Sequence, residues 1–109
     1  TGTLVPTATV VLKFGDHERM STATGNGPVD AAVSAIKKLI NEKVVLAEFL
    51  MQVITRGSND VGRVHVPVEC GSRTVHGFGA HTDTTRASIE AFLDALRALN
   101  VTEKIEEED

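Results

Sequence analysis

The sequence is poor in three features that mark large classes of protein: cysteine, clustered positive charge and long apolar runs. Cys70 is the only cysteine, so no disulfide can form within the chain, and we expect a reducing compartment such as the cytoplasm. The formal net charge is −4 and no basic patch is present, which argues against a nucleic acid as partner. No stretch approaches the roughly 18 consecutive apolar residues of a membrane span, so we expect no membrane partner.

The length and the apolar content indicate one domain. A chain of 109 residues that is 41% hydrophobic is large enough and apolar enough for a single core. We assign residues 1–102 to this domain and residues 103–109 to an acidic, solvated tail. The chain begins at Thr1 without an initiator methionine, and no signal peptide is visible. We therefore expect it to be a piece of a longer protein.

A hairpin pattern followed by a helical pattern occupies the first part of the chain. Residues 7–15 are rich in β-branched residues and end at a Gly-Asp turn, and residues 18–24 supply a return strand. From Pro28 to Ile40 the apolar residues change to a spacing of three and four, which predicts an amphipathic helix.

The second part of the chain has the same order with one more strand in front. Three strands and a helix are predicted at residues 44–55, 62–70, 74–80 and 84–99, with a helical turn near residues 46–50 as the alternative within the first strand. Gly71 and Ser72 form the turn between the second and third of these strands. Pro67 indicates an edge position for its strand, because proline cannot donate to a ladder.

A cryptic repeat relates the two parts. The hairpin glycines Gly15 and Gly71 lie 56 positions apart, and the same offset pairs Ala31 with Ala87 in the two helical stripes. The predicted fold is therefore α+β, with two pseudo-symmetric βββα units at about residues 1–43 and 44–102 and both helices on one face of the sheet. The first unit lacks its opening strand, which would lie upstream. A second copy is the simplest cover for the other face of the sheet, so we expect a homodimer.

The residues before each predicted helix have two interpretations. In the first, they only cap the helix: Asn26 before Pro28 with Asp30 in the first turn, and Thr82 or Asp83 after His81 in the second unit. In the second, the free N–H groups at the start of the helix bind a carboxylate of a ligand. The glycines at positions 25 and 27 let that ligand approach the backbone, and Asp30, or Asp83 in the second unit, pairs with its ammonium group. Such a site would suit a branched-chain amino acid.

Arrangements typical of catalysis are scarce. The serines lie in no nucleophile motif, and the four histidines do not have the spacing of a metal site. His81 and Asp83 are better explained by capping than by acid–base or metal chemistry. Phe49, Phe78 and Phe92 are interpreted as core residues. We therefore expect no catalytic residue, metal or cofactor in this domain.

Four blocks of sequence resemble the C-terminal regulatory domain of 2-isopropylmalate synthases. They are LVPTATV at residues 4–10, GNGPVDAA at 25–32, ITRGSNDVG at 54–62 and GFGAHTD at 77–83. Together they extend over nearly the whole chain, and citramalate synthases share much of the pattern. The resemblance implies two βββα units, a homodimer, and an upstream catalytic domain in the same chain. That domain would be a TIM barrel that condenses acetyl-CoA with 2-oxoisovalerate at a divalent metal, in leucine biosynthesis.

The resemblance also implies an effector site, with leucine as the feedback inhibitor. Its loop and helix start would be Gly25, Asn26, Gly27, Pro28, Val29 and Asp30, and its apolar wall Val45, Leu46, Phe49 and Val53. Some relatives place a tyrosine in this wall, whereas this chain has no tyrosine. His81 stands where relatives often carry Asn or Asp, so the second-unit helix start of His81, Thr82 and Asp83 has no assigned ligand.

Two alternatives to a leucine sensor remain open at this point. An isoleucine sensor of a citramalate synthase would differ only in pocket shape, since moving one methyl group changes binding by about 1–3 kcal/mol. A dimerisation module without a ligand would form a stable dimer whose melting is indifferent to amino acids.

Overall fold

The computed structural model describes residues 2–46, 52–56 and 61–105, with only the backbone described for 52–56. Within these residues the elements are β1 (Thr7–Phe14), β2 (His17–Thr24), α1 (Pro28–Lys37), β3 (Val45–Leu46), β4 (Gln52–Arg56), β5 (Gly62–Cys70), β6 (Arg73–His81) and α2 (Thr84–Leu99). Neither of these helices has the length and apolar character needed to cross a bilayer. The described residues divide into two compact units, 2–42 with 102–105 and 43–101.

Unit 1 is a hairpin covered on one face by α1. Strands β1 and β2 pair antiparallel along their whole length, and Phe14 lies opposite His17. Gly15 has a φ of 61° and is the first of two turn residues, which is the glycine position of a type II′ hairpin turn. The buried residues of α1 are Ala31, Ala32, Val33, Ala35 and Ile36.

Unit 2 is a sheet with β5 in the middle, covered on one face by α2. Strands β3 and β4 both pair with β5 on one side, and β6 pairs with it on the other. Gly71 also has a φ of 61° in a two-residue turn. The buried residues of α2 are Ala87, Ser88, Ala91, Phe92, Ala95, Leu96 and Leu99.

The repeat predicted from the sequence is confirmed. The second hairpin strand begins at His17 in unit 1 and at Arg73 in unit 2, 56 positions later, and the helices begin at Pro28 and Thr84 with the same offset. Unit 2 has the order β3, β4, β5, β6, α2, in which β3 and β4 both fall within the single strand predicted at residues 44–55 and both pair with β5, and the described part of unit 1 has the order ββα. The described structure therefore agrees with an α+β fold whose first unit lacks the opening strand.

The 56-residue offset also relates one side-chain contact in each unit, in which a residue of the helix or its C-cap hydrogen-bonds to the backbone of the second hairpin strand. In unit 1 the Lys38 Nζ donates to the carbonyl of Thr22 at 2.9 Å. In unit 2, 56 positions later in both partners, the Phe78 N–H donates to Asp94 Oδ2 at 3.0 Å. An unpaired strand edge is a template for aggregation, so both units protect the outer strand with a helix side chain, one with a cation and one with an anion.

Two sequence predictions about local structure are wrong. Pro67 lies in β5, which is the central strand and not an edge. Within the described residues it lies between the positions paired with β3 and those paired with β4, and it faces His76 of β6 on the other side. Helix α1 ends at Lys37 and not at Ile40, because Ile40 pairs with Glu103 in an antiparallel bridge.

Residues 102–105 return to unit 1. The Asn41 N–H donates to the Thr102 carbonyl and the Thr102 N–H donates to Glu42, while the Lys104 N–H donates to the Leu39 carbonyl, all within 2.7–2.8 Å. The hydrogen bonds from Thr102 lower the pKa of the Glu42 carboxyl. The acidic sequence predicts a solvated tail from residue 103, whereas unit 1 holds this segment as far as it is described.

Charged side chains complete the attachment of this segment. His17 Nε2 lies 2.8 Å from Glu103 Oε1, and Arg19 Nη1 donates to the Lys104 carbonyl at 2.7 Å. The hydrogen bond and the charge of Glu103 raise the pKa of His17 above its usual 6.5, and the same contact lowers the pKa of Glu103 below its usual 4.5.

Thermal melting should report this ion pair as a function of pH. The raised pKa of His17 gives stability that is full below pH 6.5 and is lost as the pH rises through that raised value. The lowered pKa of Glu103 gives stability that is full above pH 4.5 and is lost as the pH falls through that lowered value. The Tm of the parent chain should therefore exceed that of a Glu103→Gln variant by the largest amount between about pH 4.5 and pH 6.5, where both contributions are full. An excess that does not change with pH would contradict the pairing.

Candidate functional site

Gly25 opens the loop between β2 and α1 at a point of close approach. Its N–H donates to the Pro6 carbonyl at 3.1 Å. A Cβ at this position would lie 2.5 Å from the Ala31 nitrogen and 2.6 Å from Asp30 Oδ2. Any side chain here would displace the first turn of α1, so the fold itself requires this glycine.

Gly27 differs from Gly25 in its surroundings. It is the N-cap of α1, with φ −168° and ψ 174°, an extended conformation that any residue adopts. A Cβ built on it would meet no atom within 4 Å. Neither the backbone angles nor packing within the chain demands glycine, so the missing side chain leaves space over the start of α1.

The predicted capping by Asn26 is wrong, although the predicted first residue, Pro28, is confirmed. With Pro28 at the first helical position the cap falls on Gly27, which has no side chain to offer. The Asn26 N–H instead donates to Asp30 Oδ2 at 2.8 Å. Asp30 lies in the first turn of α1 as predicted, and there its carboxylate also orders the preceding loop.

The start of α1 has no side-chain cap. The N–H of Ala31 donates to the Gly27 carbonyl at 2.9 Å, and no side chain caps the N–H groups of Val29 and Asp30, which precede it. Amide groups in the first turn, together with the helix dipole, attract carboxylates and phosphates. This loop therefore combines uncapped amide donors, an open space and an acidic side chain.

The start of α2 is different because its own side chains cap it. Asp83 Oδ1 accepts from the Thr85 N–H at 2.9 Å, and His81 Nδ1 accepts from the Asp83 N–H at 3.0 Å. Thr82 lies exposed between them. The capping interpretation of this segment is thus confirmed for Asp83, and the two helix starts are not equivalent.

Comparison with known proteins decides the family. The model of the LeuA allosteric (dimerisation) domain matches residues 1–100. This chain belongs to that family.

The curated relatives of this LeuA domain are much longer proteins. The 2-isopropylmalate synthase of Parabacteroides distasonis is 47% identical over 90 residues, which is 82% of this chain and 18% of that protein. The enzymes of the same name from Methanocaldococcus jannaschii and Aquifex aeolicus are 41% and 38% identical over 88% and 85% of the chain. The chain therefore spans under a fifth of the length of these relatives.

The predicted effector residues of the LeuA domain fall in both units. Gly25, Asn26, Gly27, Pro28, Val29 and Asp30 lie together in unit 1. Val45 and Leu46 form β3 in unit 2, where Val45 is 55% exposed. Val53 pairs with Val64 through the backbone, and its side chain, like the whole of Phe49, lies outside the described residues. The apolar wall stays a prediction.

Unit 2 holds a cluster of three rings that the sequence pattern does not predict. The imidazoles of His65 and His76 stack at 4.7 Å, and His65 also stacks on Phe78 at 5.1 Å. Phe78 is 57% exposed, so its interpretation as a core residue is wrong, whereas Phe92 is buried as predicted. No group of three or more potential metal ligands occurs among the described residues.

Proposed function

We propose that this chain is the regulatory domain of a 2-isopropylmalate synthase and that it binds leucine as a feedback inhibitor at the start of α1. The proposal joins the family match to one structural observation, the uncapped helix start beside Gly27. The catalytic domain, upstream in the parent chain, would hold a divalent metal and acetyl-CoA and would condense acetyl-CoA with 2-oxoisovalerate. The regulatory domain itself would need no cofactor.

The chemistry of the loop suits a zwitterion. The leucine carboxylate would accept from the N–H groups of Val29 and Asp30, where the helix dipole favours negative charge. The leucine ammonium would pair with the Asp30 carboxylate, which has about four lone-pair sites and uses one of them for the Asn26 N–H. The open space at Gly27 would let the ligand reach the amides.

Inhibition at a distance needs only a modest difference in affinity. If leucine binds one arrangement of the regulatory domains more tightly than another, it shifts the enzyme toward that arrangement. Coupling of this kind is typically about 1–3 kcal/mol. A homodimeric regulatory domain can present two such arrangements to its catalytic domains.

Calorimetric titration of the 109-residue chain with leucine, isoleucine and valine tests the proposal. We expect saturable binding that prefers leucine. In Gly27→Val the affinity for leucine should fall at least about tenfold, a loss of about 1.4 kcal/mol, because the new side chain occupies the ligand's path. The Tm should not change, since the space at Gly27 is open.

Gly2→Val is the matched control, because a Cβ at Gly2 also meets nothing within 4 Å and lies outside the loop. It should bind leucine as the parent chain does. Leucine binding retained in Gly27→Val would exclude the loop as the site. A preference for isoleucine would indicate a citramalate synthase, and a folded dimer that binds none of the three would indicate a dimerisation module.

A further inference from the structure

The loop before α1 holds the one asparagine of the chain that is followed by a glycine. The asparagines are Asn26, Asn41, Asn59 and Asn100, and the residues that follow them are Gly27, Glu42, Asp60 and Val101. Asparagine is chemically labile, because the main-chain nitrogen of the next residue can attack its side-chain amide. A side chain on that next residue hinders the attack, and glycine has none. The sequence therefore favours deamidation at Asn26 over the other three asparagines.

The side chain of Asn26 is free to turn toward its own main chain. The residue is exposed, and within the described residues its side-chain amide makes no hydrogen bond. Its main-chain N–H, in contrast, donates to Asp30 Oδ2 at 2.8 Å. The loop thus fixes the backbone of Asn26 and leaves the group that would be attacked unrestrained.

The attacking nitrogen, that of Gly27, is also unoccupied. In the part of the chain that the structure describes, the Gly27 N–H donates to no acceptor, whereas the Gly25 N–H donates to the Pro6 carbonyl at 3.1 Å. A Cβ on Gly27 would meet no atom within 4 Å, so nothing packs beside the nitrogen. Both reacting groups are therefore accessible in the folded loop.

Two other asparagines provide a contrast within the same structure. Val101, which follows Asn100, is β-branched, and its N–H donates to the Leu96 carbonyl at 3.3 Å. Asn41 is exposed like Asn26, but it is followed by Glu42, whose side chain stands beside the nitrogen that would attack. The combination of an unrestrained amide and a bare, unbonded nitrogen thus belongs to Asn26 and not to these two residues.

We propose that Asn26 is a site of spontaneous deamidation and that this modification weakens leucine binding at the start of α1. The Gly27 nitrogen gives its proton to hydroxide and attacks Cγ of Asn26. The new N–Cγ bond closes a cyclic succinimide as the Cγ–Nδ2 bond breaks and ammonia leaves. Water then opens the ring at either carbonyl. Opening at Cγ gives aspartate, and opening at the main-chain carbonyl gives isoaspartate, whose main chain runs through Cγ.

Both products place a new carboxylate beside the helix start. The inference rests on the proposed function, in which the leucine carboxylate binds the N–H groups of Val29 and Asp30. A second negative charge next to that carboxylate is repulsive. Isoaspartate also lengthens the main chain between the residue anchored on Asp30 and the N-cap Gly27. Modified chains should therefore escape feedback inhibition at leucine concentrations that inhibit unmodified ones.

Peptide mapping by mass spectrometry tests the modification. The folded 109-residue chain is incubated in mildly alkaline buffer, which favours loss of the amide proton. We expect Asn26 to convert to aspartate and isoaspartate while Asn41 and Asn100 persist. Gly27→Ala should slow the conversion several-fold, since the methyl group hinders attack and the extended backbone at this position accepts any residue. Asn26 that stays intact in the folded chain, yet converts in a chain unfolded by guanidinium chloride, would overturn the proposal. Equal conversion at Asn41 would also overturn it.

Calorimetric titration with leucine tests the consequence. Chains with the added charge are separated by anion exchange and compared with unmodified chains and with Asn26→Asp. The affinity should fall several-fold in both, most at low salt, where charges are least screened. The matched control is Asn41→Asp, which adds the same charge beyond the other end of α1 and should leave the affinity unchanged. Equal affinities in modified and unmodified chains would overturn the proposed effect on binding.

The two experiments together separate this inference from the proposed function. A chain that binds leucine and keeps Asn26 intact would contradict the deamidation site alone. A chain that deamidates at Asn26 but binds no leucine would contradict the leucine sensor and the effect on binding, and would leave the modification site supported. Saturating leucine should also slow the conversion, because a ligand over Gly27 covers the attacking nitrogen.

Discussion

Gly77→Ala should lower the free energy of unfolding by about 3 kcal/mol, the upper end of the usual range for an overfilled core. A Cβ at Gly77 would lie 1.9 Å from the Ala91 carbonyl oxygen and 2.7 Å from the Ala95 nitrogen. Both atoms belong to the backbone of α2, so no side chain can rotate away and the helix itself must move off the sheet. Chemical denaturation in urea would measure the change.

Two other glycines make this result specific. Gly79→Ala should cost a similar amount, because its Cβ would lie 2.1 Å from the Ala87 carbonyl oxygen, one helical turn along α2. Gly27→Ala should leave the stability within about 0.5 kcal/mol, as for ordinary surface changes, since its Cβ meets nothing. If all three variants were equally stable, the close approach of α2 to β6 would be refuted.

The sequence predicts the hairpins and the helix starts well because short-range rules determine them. A two-residue turn with glycine first fixes the strand register: Cys70 lies opposite Arg73, and every other pair of β5 and β6 follows. The 56-residue offset then carries the same arrangement to both units. These features depend on a few neighbouring residues and need no knowledge of the packing.

The same register explains why the interpretation of Phe78 as core fails. Once Cys70 faces Arg73, His65 must face Phe78 and Val64 must face Gly79. The valines of β5 are buried, so Phe78 has to lie on the opposite side of the sheet. The turn at Gly71 and the alternating valines of β5 are enough to predict that Phe78 faces outward. The general preference of aromatic residues for the interior favours the opposite and wrong prediction.

The end of α1 and its cap depend on contacts that cannot be predicted from the spacing of residues in the sequence. Helix α1 ends early because a distant residue, Glu103, pairs with Ile40. Asn26 has the side chain of a good cap, yet the proline places the cap one residue later. For the candidate site the glycines of the loop look alike in the sequence, and only the surroundings distinguish the packed Gly25 from the open Gly27.

Phe92→Ala should cost about 3–5 kcal/mol of unfolding free energy, the largest effect we expect from a single truncation in this chain. Phe92 is 1% exposed and is the largest fully buried side chain among the described residues. The surrounding sheet and helix can close only part of the cavity, so the lost contacts and the cavity both contribute. Domains of this size have about 5–15 kcal/mol in total, so the variant should be marginal.

Phe92→Leu keeps the measurement possible if the alanine variant fails to fold, and it should be the milder of the two because it leaves a smaller cavity. Phe78→Ala is the matched control, since it deletes the same side chain where it is 57% exposed. Its cost to a monomer should be no more than about 1 kcal/mol, mainly from the stacking on His65.

All variants must be compared at one protein concentration low enough to suppress association, because dimer formation raises the apparent stability. Equal losses of stability at the two positions would contradict the assignment of Phe92 to the core and of Phe78 to the surface of unit 2.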